Sequence, residues 1–420
     1  MPIGYITDHY PAVSHVFVQR EVLALRRLGV DVQTFSIRRV SPEHVLSRAD
    51  REAYDTTYAI VPPHRRDLLT AHLRAALTST RALASTVGLA LRLNPTSARS
   101  RLWQLFYLAE AIVLWRECLR RGIRHVHAHF TAPSADVAQL LAAFGAARDG
   151  PGTWTWSFSA HGADIQDTSS RLLAEKIRRA AFVVSVSDFG RGQLLQLVDQ
   201  EHWAKIRVVR CGVDLASFPV ASRRPAEARP LDVLSVGRLV AVKGQAVLVD
   251  ALSRVCAAGV DARLTIVGDG PLREPLEHQA KQLGIAHRVS FPGRIGQDEI
   301  RDFYERADLF CLPSFTEGLP VVLLEAMATG LPVIASGVMG IPELVDHHVG
   351  RLVPAGRPDR LAEAIREVGE LPDRGQGLGA EGRRRVARDF EVGRAAEALL
   401  EVMRTYGAVG PAPDAGPGEP

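Results

Sequence analysis

Cysteine is scarce in this sequence and shows no pairing pattern. The 420 residues include four cysteines, which lie far apart and form no Cys-x-x-Cys motif: Cys118, Cys211, Cys256 and Cys311. Such spacing argues against a disulfide framework or a zinc site and favours a reducing compartment. An Asp-x-Asp pair is also missing, so no carboxylate pair of that kind is predicted to hold a divalent ion. We therefore predict neither a metal ligand nor a cofactor.

Long apolar runs are missing as well. No stretch reaches the ~18 uncharged apolar residues of a membrane-spanning helix. The first residues, as far as Asp8, are too short and uncharged to be a signal peptide. We therefore expect a cytoplasmic protein. With 46% hydrophobic and 23% charged residues the composition is that of a globular protein, and a chain of 420 residues exceeds what one core usually serves, so two domains are expected.

Positive charge is concentrated in the first half of the chain. Residues 1–212 contain 27 basic and 18 acidic side chains, whereas the remainder contains 24 and 29. Residues 64–101 alone hold seven arginines and one acid, Asp67, together with an apolar face formed by Leu68, Leu69, Leu73, Ala76 and Leu77. A basic amphipathic helix of this kind can lie on an anionic membrane. An ordinary domain helix with solvated arginines is the alternative, and both stay open; no nucleic-acid partner is predicted.

The pattern of elements predicts an α/β protein. Short apolar runs alternate with helical patterns, which is typical of doubly wound parallel sheets. We predict a first domain at 1–217, a linker rich in Pro, Ala and Arg at 218–230, a second domain at 231–390, a final helix at 391–406 and a disordered tail at 407–420. Within the first domain, residues 38–63 are predicted to be irregular and Asp67–Leu93 to form one helix.

The stretch from Pro313 to Gly330 carries the strongest functional signal. Its helix, predicted to span Gly318 to Thr329, is apolar nearly all round and should be buried. Glu325 is the only charge inside this helix, and burying an unpaired carboxylate costs several kcal/mol, so we expect a donor for it.

Glu317 and Gly318 stand at the mouth of the same helix. The free backbone N–H groups and the positive dipole end of such a mouth suit a phosphate. One face would then offer two carboxylates for hydroxyl groups and an N-terminus for an anion, which is the polarity of a nucleotide sugar. The alternative is a core helix in which Glu317 is a cap and Glu325 is structural.

Further candidates follow other strands, at the edge where open α/β sheets bind ligands. Gly237 allows close approach of the backbone, and Arg238 and Lys243 place two cations beside the same strand end. Ile295 follows another strand in Phe-Pro-Gly-Arg-Ile and could lie near a base. The alternative for the two cations is solvation at the surface. The turn Val-Gly-Asp-Gly-Pro-Leu at 267–272 lacks the third glycine of a dinucleotide fingerprint, so a nicotinamide site is not predicted.

Histidines end two strands of the first half. His161 precedes Gly162 where a ligand could be met, although a packed histidine is an equal alternative. His127 and His129, at i and i+2, are expected to point to opposite sides of their strand. One would then be packed and the other would face the cleft, and the two would not share a metal ion.

Together these motifs resemble the family 4 retaining glycosyltransferases, which have the GT-B architecture of two Rossmann-like domains facing a central cleft. The resemblance covers nearly the whole chain and rests on the Glu317-x7-Glu325 stretch and on SVGRLV, VGDGPL, FPGRI, MGIPE and VRCGVD. The first domain, with DHYPAVSHVFVQRE, HAHFTAPSADVA and WSFSAHGADI, is similar to the exopolysaccharide subgroup typified by colanic acid glycosyltransferases.

The resemblance implies a role for each site residue. It implies that Arg238 and Lys243, beside Gly237, hold the diphosphate and that Glu325 holds the ribose. It places Ile295 near the base and His161 over the sugar. The transferred sugar would lie against Glu317 and the following backbone of Gly318 and Leu319.

Two positions depart from the family pattern. No Gly-Gly loop follows the first strand, so a phosphate contact there would fall to Tyr10, Ser14 or His15. Cys211 stands where asparagine is usual, beside the predicted linker.

The implied activity is transfer of a hexosyl unit, with retention, from a UDP- or GDP-linked sugar to an acceptor hydroxyl on a glycan, lipid-linked or small-molecule acceptor. Exopolysaccharide or other cell-surface glycan biosynthesis is the implied setting. Alternatives are a secondary-metabolite or phosphoinositol glycosyltransferase, a GT-B nucleotide-sugar 2-epimerase, and a non-catalytic sugar-nucleotide-binding protein. The epimerase would need buried acid–base carboxylates in the cleft, where the first-domain motifs offer mainly histidines.

Overall fold

A computed structural model describes residues 2–12, 15–61, 65–94, 96–167, 169–220 and 229–410. The first domain is built on a seven-stranded sheet with spatial order β3-β2-β1-β4-β5-β6-β7, in which all pairings are parallel. Its strands are β1 (Ile3–His9), β2 (Val32–Arg38), β3 (Tyr58–Val61), β4 (His125–His129), β5 (Thr155–Ala160), β6 (Val183–Ser185) and β7 (Ile206–Val208).

The helices of the first domain cover both faces of this sheet. They are α1 (Val16–Arg27), α2 (Arg48–Thr56), α3 (Arg65–Thr78), α4 (Thr80–Leu93), α5 (Ala98–Arg120), α6 (Ser134–Asp149), α7 (Ala163–Asp167), α8 (Ser170–Arg179) and α9 (Asp188–Leu195). One apolar core gathers residues of α3 to α6 with the sheet face that includes Phe35 and Phe158. A smaller core lies on the other face, between α1 and residues such as Tyr5 and Phe182.

The second domain repeats this architecture on a six-stranded parallel sheet with order β10-β9-β8-β11-β12-β13. Its strands are β8 (Leu231–Val236), β9 (Ala262–Val267), β10 (Val289–Gly293), β11 (Leu309–Leu312), β12 (Val333–Ser336) and β13 (Gly350–Val353). Its helices are α10 (Gln245–Ala257), α11 (Arg273–Gln282), α12 (Ile300–Arg306), α13 (Val321–Ala328), α14 (Pro358–Glu370) and α15 (Gln376–Asp389). The predicted pair of doubly wound parallel sheets is confirmed.

Strand order fixes where ligands can bind. In the first sheet the order reverses between β1 and β4, and in the second it reverses between β8 and β11. The loops that leave neighbouring strands at such a switch point diverge to opposite faces and open a crevice at the carboxyl edge. The loop after β8 contains Arg238 and Lys243, and the loop after β11 contains Glu317 and Gly318. The topology therefore brings these predicted site residues to one crevice.

The chain returns to the first domain at its end. The last helix, α16 (Val392–Thr405), packs against α1, and Leu399 and Met403 are buried in the same core as Val18 and Leu25. Ala408 and Val409 are also buried there, so packing continues past residue 406, where the sequence predicts that order ends. Residues 411–420 and residues 221–228 of the predicted linker lie outside the described residues.

Three local predictions are wrong, and each has a physical reason. Residues 38–63 contain α2 and β3, because Ser47 and Asp50 form a capping box that starts a helix in this polar stretch. The segment predicted as one helix divides into α3 and α4 at Ser79, where neighbouring threonine hydroxyls donate back to carbonyls of the preceding turn. Helix α13 begins at Val321, since a residue before proline, here Leu319, disfavours helical backbone angles.

Candidate active site

The two domains meet backbone to backbone at His161–Gly162 and Gly318. A Cβ atom on Gly318 would overlap the carbonyl oxygen of His161, and one on Gly162 would overlap the Cα of Gly318. Gly162 also has a φ of 102°, a value that favours glycine. Only glycine therefore allows this contact. It brings His161 of the first domain beside Glu317 and Gly318 of the second domain, and all three are predicted site residues.

Glu325 lies in the centre of this junction. The side chain is 2% exposed, and it accepts hydrogen bonds from Arg20 Nη2 at 2.6 Å and from the Tyr304 hydroxyl at 2.8 Å. The prediction that this buried carboxylate has a donor is confirmed. Burial and the neighbouring charge of Glu325 hold the pKa of Tyr304 well above its usual value, so Tyr304 remains a donor.

Arg20 belongs to α1 of the first domain, so it bridges the two domains. Its Nη2 also donates to Gln297 Oε1 at 2.8 Å, and its guanidinium lies over the ring of Phe218. A cavity of about 240 Å³ opens beside it, lined on one side by α1 and on the other by Ser217, Gln297 and their neighbours. Nη1 of Arg20 is buried and has no hydrogen-bond partner within the described ranges. A ligand hydroxyl entering this cavity would therefore find a ready donor.

Glu317 and Lys243 form a pair across two loops of the second domain. Lys243 Nζ lies 2.5 Å from Glu317 Oε1, and the hydroxyl of Ser314 donates to the same oxygen at 2.8 Å. Glu317 is 7% exposed, so its buried carboxylate is held by these two donors. Because α13 begins only at Val321, Gly318 and Leu319 belong to the preceding loop.

Arg238 extends from the loop after β8 towards the first domain. Its side chain is exposed and makes no hydrogen bond or ion pair to the described part of the chain. Burial, and with smaller effect the charge of Arg238, lowers the pKa of His15 of the first domain. Gly237 N–H donates to the carbonyl of Val267 at 2.9 Å and so anchors this loop.

Ile295 lies in the loop after β10 and is half-buried. The next residue, Gly296, packs against Leu46 of the first domain, and Asp298 accepts from the backbone N–H of Arg48 at 3.2 Å. The loop predicted to lie near a base is therefore covered by residues at the start of α2 in the first domain.

A row of buried histidines runs along β4. His125 contacts the hydroxyls of Thr155 and Ser157, and His127 those of Ser157 and Ser159, all within 2.7 to 2.9 Å. The prediction that His127 and His129 point to opposite sides is wrong, because side chains two residues apart on a strand share a face. All three imidazoles are buried on one face of the sheet.

His129 connects this row to His161. Nδ1 of His129 lies 3.1 Å from Nε2 of His161, and Nε2 of His129 lies 3.3 Å from Glu21 Oε1. Burial lowers the pKa of His129 to about 3 and that of His161 well below its usual value, with a further lowering by neighbouring histidines. Both rings are therefore neutral. Asp164 fixes the loop by accepting from the backbone N–H groups of His161 and Thr131 at 2.8 and 3.0 Å.

Oxygen and nitrogen atoms of Glu21, His127 and His129 lie within 4.8 Å of one another, a spacing that could hold a metal ion. Both nitrogens of His127 already contact serine hydroxyls, so an ion would have to displace one of them. The sequence-based expectation that there is no metal ligand stays a prediction.

Glu110 of α5 interacts with Arg38 and Asp8, at the carboxyl ends of β2 and β1 in the first domain. Burial raises its pKa to about 7, a shift that Arg38 opposes and Asp8 reinforces. Its Oε2 is buried without a hydrogen-bond partner within the described ranges, and Asp8 lies 3.7 Å from Arg38. A 2-epimerase, one of the alternatives, would need a buried carboxyl such as that of Glu110. In a transferase the same carboxyl could contact an acceptor hydroxyl.

A further interdomain contact joins Glu343 of the second domain to α9 of the first. Both carboxylate oxygens of Glu343 accept from the first backbone N–H groups of α9, those of Asp188 and Phe189, at 3.0 and 2.8 Å. Arg210 adds a donor to the same carboxylate at 3.2 Å. The motif Met-Gly-Ile-Pro-Glu thus joins the second domain to a helix terminus of the first.

Sequence reasoning missed several of these residues. These residues are Arg20, Tyr304 and Gln297, whose partners lie far away in the sequence. Arg20 and Glu325, for example, are 305 positions apart. The available signal is the pair Arg20–Glu21 in the middle of α1, between the apolar residues at 16–18 and 22–25, since buried charges need partners. Ser14, predicted as a helix cap or phosphate contact, lies outside the described residues.

No helix in the described ranges combines the length and the apolarity needed to cross a bilayer.

Comparison with known proteins finds similar glycosyltransferases. Residues 221–385 match the family model described as glycosyl transferases group 1. The WcaL glycosyltransferase of Salmonella typhimurium, named for colanic acid biosynthesis, is 33% identical over 260 residues, which are 58% of this chain and 63% of that protein. The chain thus spans less than two thirds of this relative. The WcaL protein of Escherichia coli is 28% identical over 382 residues, covering 88% of this chain and 91% of that one.

A solved structure agrees over nearly the full length. Anabaena Alr3699/HepE in complex with UDP and glucose superposes with a TM-score of 0.70 at 17% identity, covering 96% of this chain and 100% of that chain. The GT-B fold predicted from the sequence is confirmed, as is the resemblance to glycosyltransferases of exopolysaccharide biosynthesis.

Proposed function

Because residues 221–385 match the model of the glycosyl transferases group 1, we propose that the chain transfers a hexosyl unit from a nucleotide diphosphate sugar to an acceptor hydroxyl, with retention of the anomeric configuration. The observation that carries this proposal is the junction at Gly318. There a cation, a buried carboxylate and a neutral histidine from two domains converge: Lys243, Glu317 and His161. A diphosphate and a hexose need contacts of these three kinds.

The donor is UDP- or GDP-linked in this proposal. Its support is the HepE structure, whose complex contains UDP and glucose. Glu325, with Tyr304 behind it, would accept from the ribose hydroxyls, and Arg20 would move aside or share the carboxylate. Ile295 and the loop beneath Leu46 would contact the base.

The chemical step leaves negative charge on the departing diphosphate, which must be stabilised more strongly in the transition state than before it. Lys243 and Arg238 supply this stabilisation together with the backbone N–H groups of the Gly318 loop. When the donor binds, the ammonium of Lys243 would leave Glu317 and bind a phosphate oxygen instead. This exchange keeps a negatively charged partner beside Lys243. Glu317, released from Lys243, would then accept from a hydroxyl of the sugar.

The acceptor is a cell-surface glycan or its lipid-linked precursor, and the setting is exopolysaccharide biosynthesis, as the names of the WcaL relatives suggest. Glu110, beside Asp8 and Arg38 at the carboxyl ends of β1 and β2, would position the acceptor hydroxyl. Because the pKa of Glu110 is raised to about 7, its carboxyl can accept or donate a hydrogen bond near neutral pH.

The test of the proposed activity is product analysis with and without an acceptor. With donor alone we expect the nucleotide sugar to be recovered unchanged, and with donor and an acceptor glycan we expect release of the nucleoside diphosphate together with a glycosylated product. Glu317→Gln serves as the control, since it should lose rate while the fold survives. Conversion of the donor to an epimeric nucleotide sugar without any acceptor would instead favour the 2-epimerase.

We also propose that α3 docks the first domain on the inner face of the membrane. Leu69, Leu73 and Leu77 form a stripe at spacings of four and are 69%, 59% and 74% exposed. Exposed arginines flank this stripe, and α5 adds the exposed apolar side chains of Leu102, Trp103 and Phe106. Such a surface combines apolar burial with attraction to anionic lipid.

Co-sedimentation with anionic liposomes measures this docking. Replacing Leu69, Leu73 and Leu77 together by serine should weaken binding at least roughly tenfold, because each buried leucine contributes about 1.5–3 kcal/mol. The matched control replaces three exposed leucines elsewhere, Leu28, Leu283 and Leu352, each 38% exposed. Failure of the unaltered protein to co-sediment at any salt concentration would refute docking.

A further inference from the structure

A chain of polar contacts links α1 to the ring of His161. The Tyr5 hydroxyl donates to Glu21 Oε1 at 2.9 Å, and the same oxygen lies 3.3 Å from Nε2 of His129. Nδ1 of His129 lies 3.1 Å from Nε2 of His161. The path therefore runs from Glu21 through His129 to a residue at the domain junction.

Each step of this chain fixes the next. The single proton of the Tyr5 hydroxyl points at Glu21, so Oε1 is an acceptor whether Glu21 is ionised or carries a proton on Oε2. Nε2 of the neutral His129 lies 3.3 Å from this acceptor without the geometry of a hydrogen bond in the described ranges. The ring is still more stable with its one proton on Nε2, which attracts the oxygen, than with a lone pair there, which repels it. Its Nδ1 then has a lone pair, so Nε2 of His161 must be the donor to it. Nδ1 of the neutral His161 is left with a lone pair.

The surroundings hold the rings in place and leave Nδ1 of His161 open. Phe17 and Phe130 contact the ring of His161 with centroids 4.6 and 4.8 Å away, and His129 stacks on it at 5.3 Å. In the part of the chain that the structure describes, Nδ1 of His161 has no hydrogen-bond partner. Other titratable groups around the chain in the described ranges include His15, His127, Cys211 and Asp164. Asp164 accepts from the backbone N–H of His161, and none of the four contacts Nδ1.

We propose that Glu21 and His129 are positioning residues which hold His161 in the tautomer protonated on Nε2, so that Nδ1 accepts a hydrogen bond from a hydroxyl of the donor sugar. The identity of that hydroxyl donor rests on the proposed function; the tautomer does not. The arrangement explains why a carboxyl side chain of α1 lies behind the histidines of β4, where apolar packing would otherwise suffice.

Imidazole ¹⁵N NMR of histidine-labelled protein tests the tautomer directly. We expect His161, assigned by its loss in His161→Asn, to show a protonated Nε2 and an unprotonated Nδ1, with the same pattern for His129. In His129→Phe the ring of His161 should become a mixture of tautomers. A protonated Nδ1 on His161 in the unaltered protein would overturn the proposal.

Binding measurements test the role. His129→Phe and Glu21→Leu should raise KM and Kd for the nucleotide sugar about three- to tenfold, the effect of one neutral hydrogen bond, and leave Kd for the nucleoside diphosphate unchanged. Glu21→Gln keeps an acceptor oxygen and should restore tight binding. The matched control is His125→Phe, which removes a buried histidine of the same strand and face but has no contact with His161.

The outcomes separate the two claims. Equal weakening of nucleotide and nucleotide-sugar binding in His129→Phe and Glu21→Leu would show that the two residues only support the fold, and this would refute the positioning role. If no nucleotide sugar is bound or consumed while the NMR shows the expected tautomer, the proposed function fails and the assigned proton arrangement stands.

Discussion

Replacement of Lys243 or of Arg238 by alanine is expected to lower kcat roughly tenfold to a hundredfold and to change KM less. A hydrogen bond to a charged group contributes about 1.5–3 kcal/mol, and this contribution grows as charge builds on the leaving diphosphate. The two variants should differ in stability. Lys243→Ala leaves the buried Glu317 with Ser314 alone and should lower the free energy of unfolding by about 1–3 kcal/mol, whereas Arg238 is exposed and has no described partner to lose.

Steady-state kinetics and denaturant unfolding of the two variants check both expectations. Lys281→Ala and Arg254→Ala are suitable controls, since each removes an exposed cation of a helix of the second domain. Activity should persist in excess EDTA, because the protein's own cations carry the stabilisation. Complete loss of activity with the chelator, restored by manganese or magnesium, would assign that role to a metal ion instead.

Gly162→Ala is expected to abolish domain closure and to lower kcat roughly a hundredfold. The added methyl group would overlap the backbone of Gly318, and displacing reacting groups by about 1 Å can cost 10²-fold in rate. Gly29→Ala is the matched control. Gly29 has a similarly positive φ, 82°, but a Cβ there meets nothing within 4 Å, so it reports the backbone strain alone.

Solution scattering should show the same difference. The unaltered protein and Gly29→Ala should become more compact with donor and acceptor, as expected for two domains that close on a ligand, and Gly162→Ala should not. Full activity of Gly162→Ala would show that the contact at Gly318 is not needed for catalysis. No compaction of the unaltered protein would count against closure on the ligand.

Much of the fold follows from short-range patterns. Alternating apolar runs and helical periods predict two parallel sheets, and strand ends predict where ligands meet them. The predictions of secondary structure were wrong where a few local residues decide where a helix begins or ends. These places are the Ser47–Asp50 capping box, the break at Ser79 and the late start of α13. The error over His127 and His129 was of another kind. The alternation of side chains along a strand is enough to place these two on the same face.

The site was only partly predictable because its contacts cross between domains. Burial of Glu325 predicts that it has a donor, but the sequence does not reveal that Arg20 of the first helix provides it. Lys243 and Glu317 were each predicted as site residues from different motifs, yet their direct contact joins positions 74 apart in the chain. The chain of Glu21, His129 and His161 likewise depends on three elements, α1, β4 and the loop after β5, whose packing no local pattern encodes.

A crystal structure with bound donor nucleotide, grown without divalent cations, tests the central claim most directly. The account predicts that the diphosphate lies between the loops after β8 and β11, with Lys243 Nζ released from Glu317 and bonded to a phosphate oxygen, and with Arg238 and the Gly318 backbone N–H on the same group. A nucleotide bound outside this crevice, or a diphosphate near it that leaves the Lys243–Glu317 pair intact, would contradict it.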